Sequence, residues 1–167
     1  MSACQTPPPR ALQTVEKVDV PRFMGDWYVI ACIPTFIERQ AYNAVESYEL
    51  APDGRVRTVF TFRKGAFDGP EKRYSPVGTV LDASGAVWGM QFIWPIKSDY
   101  RVTYLTADYT QTIISRQKRD YVWIMARTPM ISDADYRRDV ELVGAQGYDI
   151  AALRKVPQQP LSQRPAR

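Results

Sequence analysis

The chain has 167 residues, 45% of them hydrophobic and 24% charged, enough for one domain with a sizeable core and too few for two. Its net charge of +4 is dispersed, with small basic clusters at residues 116–119 and at Arg137-Arg138, so the concentrated basic stripe of a nucleic-acid reader is missing. With no histidine and only two cysteines, Cys4 and Cys32, the chain lacks the usual general base, the commonest metal ligand and the means for more than one disulfide.

No cofactor is therefore expected. No apolar run approaches the roughly 18–20 residues of a transmembrane helix. At the start, Met1-Ser2-Ala3-Cys4 places small residues immediately before a cysteine, followed by Gln5 and the run Pro7-Pro8-Pro9. This resembles the end of a bacterial lipoprotein signal, in which the cysteine becomes the lipid-bearing first residue of the mature protein. We expect an export signal to have been cut away ahead of it, with Met1 as a new start. Residues 1–18 are then a flexible tether, lipidated at Cys4, and Gln5 suits sorting to the outer membrane.

Strand signals follow with regular turn punctuation. The first strand is expected at residues 27–33, after Gly25-Asp26, and is broken by a loop at 34–39 that carries Phe36. A second strand at 42–50 ends in Ala51-Pro52-Asp53-Gly54, where proline presets one φ and glycine accepts a positive one. The third strand, 56–63, alternates Val56, Thr58, Phe60 and Phe62 against Arg57, Val59, Thr61 and Arg63. The fourth, 72–81, is interrupted by Pro76, a mark of an edge or a bulge. Further strands are expected at 87–94, 100–106, 110–115 and 121–127, joined closely enough to pair as antiparallel hairpins.

The pattern then changes to a helix. Ser132 is placed to cap it, Asp135 to reach back, and Ile131 and Tyr136 to staple the entry. Tyr136, Val140 and Val143 share one helical face, and Gly144 or Gly147 ends it. A short strand at 150–156 precedes a Pro/Gln tail, 158–167, expected to be disordered. The whole reads as an all-β domain over 19–157: an eight-stranded antiparallel up-and-down barrel with one C-terminal α-helix packed outside. Such a barrel is just wide enough to hold one small ligand.

Three motifs carry a family resemblance. Gly25-Asp26-Trp27-Tyr28 resembles the lipocalin first-strand motif. Leu105-Thr106-Ala107-Asp108-Tyr109 resembles the second, between the sixth and seventh strands. Residues 120–129, ending in Arg127-Thr128-Pro129, resemble the third, whose arginine packs over the first-strand tryptophan. The run into Arg127, then Ile131-Ser132-Asp133 and Gln158-Gln159-Pro160, is similar to the bacterial outer-membrane lipoprotein branch of the lipocalins, and also to apolipoprotein D. The sequence departs from that branch at Trp94-Pro95-Ile96, where a glycine or phenylalanine more often precedes the proline.

The resemblance implies a barrel stoppered by Trp27 under Arg127, with Gly25, Asp108 and Tyr109 as further structural positions. It implies no catalysis, but binding, storage or transport of fatty acids or lysophospholipids by a protein anchored in the outer membrane and facing the periplasm. Candidate ligand contacts are Phe36 and Trp94 on loops at the open end, and Tyr48, Phe60, Phe62, Tyr74, Trp88, Met90, Phe92 and Tyr104 on strands. Alternation alone leaves open which parity faces inward. An anionic head group would sit near the mouth, beside Arg63 or Lys97. Two other readings stay open: a lipid-modifying enzyme using Cys32, and an interaction module with a vestigial cavity. Dimerisation is left open as well.

Overall fold

The computed structural model describes residues 10–93 and 96–165. Cys4 and Trp94 lie outside the described residues. After a short helix α1 (Val20–Phe23) the strands are β1 (Gly25–Ile33), β2 (Ala41–Leu50), β3 (Val56–Lys64), β4 (Glu71–Tyr74), β5 (Val77–Val80), β6 (Val87–Ile93), β7 (Ile96–Leu105), β8 (Gln111–Ser115) and β9 (Val122–Ala126). Each pairs antiparallel with the next along the sheet, and β1 pairs β9 from Tyr28↔Ala126 to Ile33↔Val122, which closes it. Strands β4 and β5 both pair with β3 and are one barrel strand broken at Ser75-Pro76, so the barrel has eight staves. Helix α2 (Asp133–Ala145) is capped by the Ser132 hydroxyl, which accepts from the Asp135 N–H at 3.1 Å. It docks outside on β1, β8 and β9 through Tyr136, Val140 and Val143.

Two apolar layers result. The barrel interior holds Trp27, Val29, Phe60, Phe62, Trp88, Val102, Ile114 and Met125. The space beneath α2 holds Tyr28, Ile30, Ile113, Val122, Ile124 and Val143.

The end nearest α1 is stoppered. Phe23 is fully buried, its ring 4.9 Å from Trp27, 5.8 Å from Tyr48 and 5.6 Å from Trp88. The Trp27 indole N–H donates to the Phe23 carbonyl at 2.8 Å. Arg127 lies over the Trp27 ring, 3.9 Å from its centroid, and donates to the carbonyls of Arg22, Phe23, Asp26 and Tyr109. Gly25 is required beneath it: φ is +97°, and a Cβ would stand 3.2 Å from Arg127 Nη1. Tyr109 takes φ +59° in the turn after β7, where Asp108 accepts from the N–H and hydroxyl of Thr110. The Tyr109 hydroxyl in turn accepts from the Asp19 N–H.

Three expectations are corrected. The strand expected at 150–156 is a 3-10 turn, Ile150–Ala152, then a two-residue strand β10 (Arg154–Lys155) on β1. Strand β2 pairs β1 only along residues 25–28 and then bulges at Asn43 (φ +49°), so only a short gap remains for β10. The tail is not loose over its described part. The Gln158 amide donates to the carbonyls of Val29 and Ala44, beside the two bulges, and Asn43 bonds both Pro157 and Gln159. Nor do residues 10–18 hang free: Leu12 and Val18 are buried, and Val15 and Val18 donate backbone N–H groups to Val102 and Ser84.

Trp27→Ala is expected to lower stability by about 3–5 kcal/mol, as truncation of a large buried aromatic does. Urea unfolding checks it; a variant as stable as the wild type would show that the stopper does not hold the barrel.

Candidate ligand-binding site

Above the stopper the barrel is filled by aromatic rings before it opens. Trp88 stacks on Tyr100 (5.1 Å, 15°), and its indole N–H donates to the Gly85 carbonyl at 2.7 Å. Tyr48 lies edge-on to both. The open half of the barrel leaves a cavity of about 430 Å3, lined by residues that include Phe36, Glu46, Phe60, Met90, Tyr100 and Trp123. That volume is within the usual range for a small-molecule pocket.

The rim is apolar. Phe36, on the β1–β2 loop, is 78% exposed, and Phe92, near the end of β6, is 51% exposed. The loop is tied down by Glu38, a buried carboxylate that accepts from the Trp123 indole N–H (2.8 Å), the Thr35 N–H (2.9 Å) and the Thr35 hydroxyl (2.6 Å). Phe36 is thereby held out over the mouth.

The floor is polar. Glu46 stands on β2 between Trp27 of β1 and Phe60 of β3. One of its oxygens, Oε2, accepts from the Tyr48 hydroxyl, which lies 2.6 Å from the Tyr100 hydroxyl. Burial raises the Glu46 carboxyl to about 7, against the favourable Tyr48 bond and with a further push from the charge of Glu38. The same burial drives the Tyr48 and Tyr100 phenols upward, so both are neutral donors and acceptors.

Of the expected contacts, Phe36, Phe60, Tyr74, Met90 and Phe92 line the cavity. Tyr48 and Trp88 are packed in the aromatic layer around and below its floor. Phe62 faces the interior but is covered by Phe60 and Tyr74, at ring separations of 5.3 and 6.2 Å. Tyr104 faces outward. An extra residue at Thr103 bulges β7, so Val102 is in the interior while Tyr104 joins the layer under α2. Arg63 and Lys97 are not in the lining. Arg63 turns to Glu71 (3.5 Å) and the Gly69 carbonyl, and Lys97 is exposed alongside Gly89. The guanidinium that does reach the cavity is Arg116, beside Asp120 (3.2 Å). Glu46, Asp99, Arg116, Tyr121 and Trp123 were not expected from the sequence. Glu46 was within reach of it, because Ala44, Glu46 and Tyr48 share a parity.

Residues 18–158 match the profile of the lipocalin-like domain. The chain belongs to the lipocalin family. Among its relatives, Temperature-induced lipocalin-1 of Arabidopsis thaliana is 30% identical over 156 residues, covering 89% of this chain and 84% of that one. Outer membrane lipoprotein Blc of Escherichia coli K12 is 30% identical over 153 residues, covering 89% and 85%. Among solved structures, insecticyanin from the tobacco hornworm Manduca sexta shares the fold, with a TM-score of 0.71 at 12% identity over 93% of this chain and 88% of that one. The three lipocalin motifs fall where the fold needs them: at the stopper, in the turn that shapes it, and in the strand that closes the barrel.

Cys32 offers this lipocalin no nucleophile. The side chain is buried, and burial pushes the thiol far above its ordinary range, with the charge of Glu38 adding to the shift and Arg154 opposing it. It is not in the cavity lining.

The position of Glu46 has a measurable effect. Its folded-state pKa of about 7 lies above the ordinary 4.5, so between those values the folded protein keeps a proton that the unfolded chain gives up. Stability is expected to fall as pH rises through that window, by on the order of 3 kcal/mol. In Glu46→Gln the contribution is absent. Chemical denaturation across the window checks it, and equal slopes in the two proteins would contradict it.

Proposed function

We propose that the protein holds a single-chain amphiphile, of the fatty acid or lysophospholipid class, in the barrel cavity. The observation that carries this reading is the shape of the interior: closed by Trp27 and Arg127 at one end, and at the other an open cavity of about 430 Å3 with Phe36 and Phe92 at its rim. Magnitudes agree with it. Burying about a dozen methylenes supplies roughly 10 kcal/mol at about 0.8 kcal/mol each. Association takes back at least about 4 kcal/mol, which leaves affinity near the micromolar range without any ion pair.

The test is displacement of a fluorescent fatty acid, with native mass spectrometry of freshly purified protein. Saturable displacement is expected, weakened about ten-fold in Phe36→Ser, because the exposed ring contributes apolar contact at the mouth and nothing to the fold. A protein that carries no lipid and displaces nothing overturns the reading.

We propose further that the protein is a lipoprotein tethered through Cys4 to the outer membrane and facing the periplasm. Support comes from the Ser2-Ala3-Cys4 sequence and from the relatives named outer membrane lipoprotein. Mass spectrometry of the full-length gene product from membranes is expected to find acyl chains on Cys4. An unmodified Cys4 removes the anchor and leaves the binding reading intact.

A further inference from the structure

The cavity has a carboxylate at its floor. Phe36 and Phe92 are exposed at the mouth, where Glu38 and Arg116 also stand on loops, while Glu46 and the Tyr100 hydroxyl lie deeper, above the aromatic layer. A purely alkyl tail pushed to the bottom would desolvate a carboxylate and meet hydroxyls it cannot bond. Among the described residues, Glu46 Oε2 is engaged by Tyr48, while Oε1 has no hydrogen-bond partner and no ion pair reaches either oxygen. Glu46 lines the cavity.

Charged groups reach the neighbourhood of Glu46 from several elements. From the β1–β2 loop comes Glu38, its oxygens held by Trp123 and Thr35. From β7 comes Asp99, paired with Arg101 at 2.9 Å and accepting from the Gln117 N–H at 2.7 Å. From the β8–β9 loop comes Arg116, next to Asp120. Arg154, on β10 beside Cys32, donates to the Ala41 carbonyl through one guanidinium nitrogen, and its Nη1 is buried without a partner. Tyr74, Tyr100 and Tyr121 contribute hydroxyls to the lining, and Tyr48 adds one beneath it. Asp99 and Arg116 are thus each offset locally, and Glu38 and Glu46 are the remaining charged side chains of the lining, which Arg154 does not join.

We infer that the preferred occupant enters polar end first, placing a basic amine against Glu46 and its apolar body between Phe36 and Phe92. A protonated amine carries three N–H donors and no acceptor. Glu46 Oε1 and the Tyr100 hydroxyl oxygen are the acceptors that line the cavity there. A carboxylate in the same place would face Glu46 and Glu38. This inference rests on the reading that the cavity holds a single-chain amphiphile, and of the two classes named there it selects a lysophospholipid with an amine head group over a fatty acid.

The test is titration of the full chain with dodecylamine, dodecanol and dodecanoate, each below its micelle concentration, at about pH 5.5 and about pH 8.5. Wild type and Glu46→Gln are compared. In wild type at the higher pH, the amine is expected to bind about ten-fold tighter than the alcohol, the scale of a hydrogen bond to a charged partner. That advantage shrinks at the lower pH, where Glu46 takes up a proton, and dodecanoate shows the opposite trend. Glu46→Gln removes the advantage of the amine over the alcohol and the pH dependence of that advantage. Saturable alcohol binding with no preference for the amine, or a preference that survives Glu46→Gln, overturns this inference while the amphiphile reading stands. Binding of none of the three to wild type overturns both.

Discussion

Arg127 lying across Trp27 is the contact on which the rest of this barrel depends. As a cation–π pair it contributes only about 0.5–2 kcal/mol. Its consequence is geometric. The guanidinium also bonds the carbonyls of Arg22, Phe23, Asp26 and Tyr109, so α1, the start of β1, the β7–β8 turn and the end of β9 meet at one planar group. A lysine could supply the charge but not that fork of donors. With this end fixed, Phe23, Trp27, Tyr48, Trp88 and Tyr100 fill the lower barrel, and open volume is left only toward the mouth.

Filling a barrel with tyrosines sets a condition on the space above them. A buried phenol needs a partner for its hydroxyl. Tyr48 and Tyr100 meet it with one another and with Glu46, so the aromatic layer ends in a network of oxygens instead of a dry floor. The carboxyl, raised by burial, loses part of its cost by holding a proton. The same residues that complete the core therefore give the cavity its chemical character.

Much of the fold was legible in the sequence, because alternation, turn residues and a capped helix are local signals. Gly25, Trp27 and Arg127 were legible as a set, since each answers to the others at the stopper. The interior was harder. Strands β1, β2 and β7 each contain a register shift, and each shift turns the side chains beyond it to the other face. Counting by twos from Val102 puts Tyr104 inside; the extra residue at Thr103 puts it under α2. Glu46 was hidden for a related reason: a lone carboxylate in a strand reads as solvent-facing until its parity is known. The tail misled because Pro and Gln are typical of loose ends, whereas Gln158 is held by carbonyls that two bulges leave available.

That wedge of C-terminal chain bears on how the molecule is made. Residues 154–158 fill the gap between β1 and the upper part of β2, and β9 closes the other edge of β1. Both neighbours of the upper half of the first strand to be synthesised thus come from the last segments of the chain. Until they arrive, β1 is an apolar strand with open edges, the kind of surface that pairs with other chains. Assembly of this barrel is therefore a race between its own far end and its neighbours, and the contacts that win it span more than a hundred residues.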